Sequence, residues 1–152
     1  MDTDILATCQ TIRHPGHWSN ATDHVALTYD ERFLRRKVLV SDKGQRFLVD
    51  LSKTTSLNHG DALELDTGAL IEVRAAEEDL LEIAGRDLAR LAWHIGNRHT
   101  PCQIEVTRLV IQRNHVMRDM LQKLGAKLRE VSEPFTPEGG AYGHGRTHGH
   151  SH

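Results

Sequence analysis

The chain has 152 residues and a formal net charge of −2, from 19 Lys+Arg against 21 Asp+Glu. Positions 1–75 hold 9 basic and 11 acidic residues and the remainder 10 of each, so neither half forms a basic nucleic-acid face or a polyanion. Apolar runs of only a few residues, and a Met-Asp-Thr-Asp-Ile-Leu opening without a basic or apolar signal segment, predict a protein with no transmembrane helix and no secretory signal.

The first half reads as β. Val25-Ala26-Leu27-Thr28, Lys37-Val38-Leu39-Val40, Arg46-Phe47-Leu48-Val49 and Ala69-Leu70-Ile71-Glu72-Val73 are β-rich runs. They are separated by Asp42-Lys43-Gly44, Asn58-His59-Gly60-Asp61 and Asp66-Thr67-Gly68, where glycine supplies a positive φ. The expectation is an all-β domain of short hairpins over residues 1–75, followed by Glu77-Glu78-Asp79 as a linker. Arg32-Phe33-Leu34-Arg35-Arg36-Lys37 is a basic cluster with an aromatic, and in a chain of this charge we read it as a solvated strand face before an RNA contact.

The period then changes. Leu81 and Ile83 alternate as in a strand, and Leu88, Leu91, Ala92 and Ile95 recur at i, i+3, i+4, i+7, which predicts a helix over 87–96 stopped by Gly96-Asn97. Strands follow at Gln103-Ile104-Glu105-Val106 and Leu109-Val110-Ile111-Gln112. A second helix, with Asn114 as N-cap, carries Met117, Met120, Leu121 and Leu124 inward and ends at Gly125. A last strand runs through Ala126, Leu128 and Glu130. The order β-α-β-β-α-β predicts a ferredoxin-like domain over 76–136, and the fold class is therefore α+β. Residues 137–152, rich in glycine and poor in apolar groups, are expected to form a disordered tail.

Eleven histidines against seven Phe, Trp and Tyr make metal handling the first functional hypothesis. His144, His148, His150 and His152 alternate with Gly, Ser and Thr, a spacing that lets the backbone wrap several imidazoles around one ion and that differs from a contiguous purification tag. As a flexible coil the 14 residues from Gly139 would reach on the order of 20 Å. His94 and His99 are five apart, about 140° around a helix, so one chain cannot bring both to one ion as an HExxH helix does. His115 follows Asn114 at a helix start, where the dipole favours the neutral imidazole that binds metals. His14, His17, His24 and His59 receive no role, and His14-Pro-Gly-His17 is read as a turn. Cys9 and Cys102 lie 93 positions apart without CxxC spacing, which fits reduced thiols in a cytoplasmic protein. No catalytic spacing is present, and the chain is expected not to be an enzyme.

Three motifs then resemble one family. His94-Ile95-Gly96-Asn97-Arg98-His99-x-Pro101, the Asn114-His115-Val116 helix start, and Pro134-Phe135-x-Pro137-Glu138-x-Gly140-Ala141-Tyr142-Gly143 before a His-rich tail are similar to the UreE-type urease accessory proteins, which are nickel metallochaperones. The resemblance implies a partner- or peptide-binding first domain and a second domain that binds metal and forms a homodimer. It implies that His99 is the central Ni²⁺ ligand, facing its copy across the twofold axis, and that His115 is a peripheral ligand; His94 ranks below both. It also implies delivery of Ni²⁺ to the urease apoprotein together with a GTP-binding urease accessory protein. Zn²⁺ and Cu²⁺ are competing ions, and the alternative reading is a general zinc, copper or nickel buffer that works through the tail.

Overall fold

The computed structural model describes residues 6–139. The chain divides into two compact units, residues 1–76 and 77–152. Among the described residues no helix is long and apolar enough to cross a membrane. The architecture is mixed α+β, with ten strands and two helices described.

The first unit contains β1 (Ala7–Arg13), β2 (Asp23–Leu27), β3 (Phe33–Val40), β4 (Arg46–Ser56), β5 (Ala62–Leu65) and β6 (Leu70–Ala75), in one sheet of order β2-β6-β5-β1-β4-β3. Cys9, Val25, Leu39, Phe47, Val49, Leu63, Leu65, Ile71 and Val73 point into a shared core, which alternation along each strand makes possible. The expectation of short hairpins holds only for β3–β4 and β5–β6, because β1 pairs in parallel with β4 and β2 in parallel with β6. Such long-range pairings leave no local signal in the sequence. Glycines 44, 60 and 68 all take positive φ at the expected turns.

Of the basic cluster, Arg35, Arg36 and Lys37 lie on an exposed face of β3 as expected, and only Arg32, just before the strand, is buried. Arg32 is buried and donates to the Leu27 carbonyl at 2.8 Å, Arg35 donates to Leu51 at 3.1 Å, and Arg36 pairs with Asp50 at 2.9 Å.

The second unit runs β7 (Glu77–Ala84), α1 (Leu88–Asn97), β8 (Gln103–Ile104), β9 (Leu109–Gln112), α2 (His115–Lys123) and β10 (Lys127–Pro134), with sheet order β10-β7-β9-β8 and antiparallel neighbours throughout. Leu81, Ile83, Leu109 and Ile111 from the sheet meet Leu91, Ile95, Met117 and Leu121 from the helices in one core. Asn114 caps α2 by accepting from the amides of Val116 and Met117. Three local expectations are corrected. Glu77-Glu78-Asp79 is no linker but the first part of β7, paired with Pro134, Glu133 and Ser132 of β10, because polar side chains are tolerated where a strand faces solvent. The strand expected over 103–106 stops at Ile104, since Glu105 and Arg108 close a turn with Val106 exposed at its tip. Helix α1 extends through Asn97, because Gly96 stays helical and does not stop it.

On the sheet face opposite the helices Arg108 is the hub of an ion-pair cluster. Its guanidinium reaches Glu133 at 2.7 Å, Glu105 at 2.9 Å and Glu82 at 3.0 Å, while Arg129 also holds Glu82 at 2.9 Å. The Arg129 hydrogen bond holds the Glu82 carboxyl below the ordinary range, and Arg108 does the same for Glu105 and Glu133. Carboxylates with depressed folded-state pKa values stabilise fully above their unfolded value of about 4.3, and that contribution is lost as pH falls through the folded values. Arg108→Gln is expected to destabilise this unit by about 1 kcal/mol at pH 7, a modest figure because the cluster is partly solvated. The variant should also weaken the dependence of stability on pH below about 4.3. Hydrogen exchange of β9 amides in both proteins from pH 7 to 3 measures both effects.

Candidate metal centre

Helix α1 ends in a backbone arrangement that helices ordinarily close with glycine. The Thr100 amide donates to Ile95 O at 3.4 Å and the His99 amide to Gly96 O at 2.9 Å, the paired 6→1 and 5→2 bonds of a left-handed helix stop. The residue in the left-handed position is His99, at φ 58°. Helix α2 closes in the same way, with Ala126 bonded to Leu121 O and Gly125 to Gln122 O, and there the left-handed residue is Gly125 at φ 86°. Two equivalent stops in one unit therefore differ in the residue that carries the positive φ. The left-handed conformation costs a non-glycine residue on the order of 1 kcal/mol, and such strain concentrates at functional sites.

His99 is exposed. Its turn is fixed by the next residue, since the Thr100 hydroxyl donates to Met117 Sδ at 3.6 Å in the first part of α2. The chain leaving β10 is anchored beside the same turn: Phe135 is fully buried, the Thr136 amide donates to Gln103 Oε1 at 2.9 Å, and the Glu138 amide donates to Cys102 O at 2.8 Å. Sequence reading assigned residues 137 and 138 to the loose tail and missed this anchor, because a backbone-to-backbone bond has no side-chain signature. His144, His148, His150 and His152 lie outside the described residues.

The other candidates are placed less favourably. His115 is exposed at the first position of α2 and lines a shallow depression with Leu81, Arg113, Asn114, Arg118 and Glu130. Two guanidiniums there, paired to Glu130 at 3.8 and 3.0 Å, oppose a divalent cation on His115 alone. His94 is half-buried, with its ring edge-on to Trp93 at 5.0 Å. Burial pushes the Cys102 thiol up to about 11, so without a metal ion it is a protonated, half-buried group at neutral pH.

In the first unit three histidines have plain structural duties. His14 sits 3.3 Å from the buried Asp61 carboxylate, His17 closes the expected turn onto the His14 carbonyl with Gly16 at φ 84°, and His59 Nδ1 accepts the Ala75 amide at 3.0 Å.

Replacing the strained residue by the one that suits its backbone separates stability from ligation. His99→Gly is expected to keep the α1 stop and to raise stability by about 0.5–1 kcal/mol, whereas His99→Ala retains the strain. Urea unfolding of the two variants beside the parent protein measures the difference.

Comparison with known proteins follows the same division of the chain. The family model described as the N-terminal domain of the UreE urease accessory protein matches residues 3–76, and the one described as its C-terminal domain matches residues 69–152. A protein of Ruegeria pomeroyi named urease accessory protein UreE is 68% identical over 147 residues, covering 97% of this chain and 99% of that protein. The protein of the same name from Rhodobacter capsulatus is 58% identical over 137 residues, covering 90% and 87%. Both halves match and both relatives align over most of their length, so this chain belongs to the UreE urease accessory protein family.

Proposed function

We propose that this protein is a non-enzymatic nickel carrier of the cytoplasm that binds Ni²⁺ at His99 and hands it to the urease active site during maturation. The observation that carries the reading is the left-handed stop of α1, which presents an imidazole on a fixed and exposed turn where glycine would serve the backbone better. Family membership supplies the urease context: the relatives are named urease accessory proteins, and the same role is proposed here. The urease apoprotein and a GTP-binding accessory protein are the proposed partners.

Each chain offers one imidazole at this turn, which is too few for a tight site. A homodimer whose twofold axis passes beside His99 doubles the ligand number, since an isologous interface places the same residue on both sides. Exposed Trp93 and Val116, adjacent in sequence to His94 and His115, offer apolar surface to such an interface. The order of strands and helices in the second unit supports reading it as the ferredoxin-like, dimer-forming domain.

Two histidines leave positions on the ion open. Imidazole suits Ni²⁺, Zn²⁺ and Cu²⁺ alike, so selectivity must come from geometry and supply and not from donor type. Open positions allow ligands of a receiving protein to enter before the histidines leave. The tail histidines act as additional ligands, because the anchor of Glu138 on Cys102 starts the tail close to the His99 turn. His115 takes a secondary place, beside two guanidiniums.

Nickel titration calorimetry with parallel mass measurement tests this on the parent protein, on His99→Gly and on a chain lacking residues 144–152. One tight ion per dimer is expected in the parent protein. It should be lost in His99→Gly while the dimer persists, and retained with a lower total ion count in the shortened chain. Equal binding by the parent and His99→Gly proteins would overturn the assignment and make the tail a general metal buffer.

Coordinating imidazoles must be unprotonated, and histidine titrates near 6.5 in its ordinary state. Nickel affinity is therefore expected to fall as pH drops through about 6.5, by up to tenfold per unit for each histidine released. Titrations between pH 8 and 5.5 check this, and a flat affinity would point to carboxylate ligands.

A further inference from the structure

The outermost strands of the N-terminal sheet, β2 and β3, stand at opposite ends of the strand order, yet the sheet curls until they meet. The amide of Asp42, just past β3, donates to the carbonyl of His24 in β2 at 2.8 Å. The Lys43 amide reaches Asp23 Oδ1 at 3.3 Å, and the Lys43 ammonium is held on the Thr22 carbonyl at 2.9 Å.

Side chains with metal-binding atoms converge on this seam. One ligand atom each from Asp23, His24 and Asp42 lies within 4.8 Å of the others. His24 Nε2 faces Asp42 Oδ1 at 3.7 Å, beyond hydrogen-bond distance, so the two are juxtaposed without bonding. With metal–ligand bonds of about 2.1 Å, that separation corresponds to an N–metal–O angle of about 124°, a little wider than the trigonal value, which a small movement of the exposed Asp42 side chain would close toward tetrahedral. His24 is half-buried, its position set by the strand, while Asp42 is exposed and can adjust.

We propose that Asp23, His24 and Asp42 form a divalent transition-metal site that clips together the two edges of the N-terminal sheet. One imidazole and two carboxylates are a donor set for borderline ions such as Zn²⁺ or Ni²⁺, with water completing the coordination. The site stands in the first unit and is separate in chain and in ligands from the His99 turn of the second. It neutralises two carboxylates where the edges meet, so occupancy suppresses local opening of the seam.

Hydrogen exchange with mass spectrometry on the full chain, with and without ZnCl₂, reads this seam apart from every other histidine. In the parent protein, exchange of residues 22–27 and 39–46 is expected to slow by roughly tenfold at a zinc concentration ten times the dissociation constant. His24→Gln and Asp42→Asn, which leave the Asp42–His24 backbone bond available, should each abolish that slowing while exchange in the absence of zinc stays near the parent level. No slowing in the parent protein up to about 1 mM zinc, or equal slowing in both variants, would overturn the site.

Discussion

A histidine stands in the left-handed position that closes α1, and the geometry of the candidate centre depends on it. The amide bonds of His99 and Thr100 to Gly96 and Ile95 fix the direction in which the chain leaves the helix. Thr100 then fastens the turn to Met117 of α2, and Cys102 receives the Glu138 amide. A residue whose backbone is held in this way is preorganised, so its turn does not have to be ordered on binding. Gly125 makes the same stop in α2 without strain, which shows that the fold itself does not require a histidine there.

The two units solve the burial problem differently. The first curls one mixed sheet around its own core, and its outer strands are brought together by the Asp42–His24 backbone bond. The second packs two short amphipathic helices on one face of an antiparallel sheet and gives part of the other face to charge. On that face Arg108 gathers Glu82, Glu105 and Glu133, a cluster whose members span β7, the β8–β9 turn and β10. Partly solvated ion pairs of this kind add modest stability, and they set register because only one alignment of β7 with β10 brings all the charges together.

Much of the fold was legible because its signals are local. The 3.6-residue spacing of Leu88, Leu91, Ala92 and Ile95, the Asn114 cap and the Gly125 stop mark both helices. Glycines 44, 60 and 68 mark the turns of the first unit. β1 and β5 escaped notice, since neither stands out as a β-rich run and each is held by partners distant in sequence. At the candidate centre the family motif singled out His99 and His115. It did not reveal that His99 itself ends the helix, because Gly96-Asn97 offers the more familiar stop.

The sequence by itself determined the unusual supply of imidazole side chains, the division between a β-rich first part and a mixed second part, and the family. The first two follow from residue types and their periodicity and the family from the resemblance of three short motifs, none of which needs knowledge of distant contacts. Only the tertiary structure decided that β1 and β2 pair in parallel with β4 and β6, that Glu138 is anchored beside the His99 turn, and that His24 faces Asp42 across the seam. Each of these joins residues far apart in the chain or rests on backbone groups that every residue shares, so no pattern of side chains announces it.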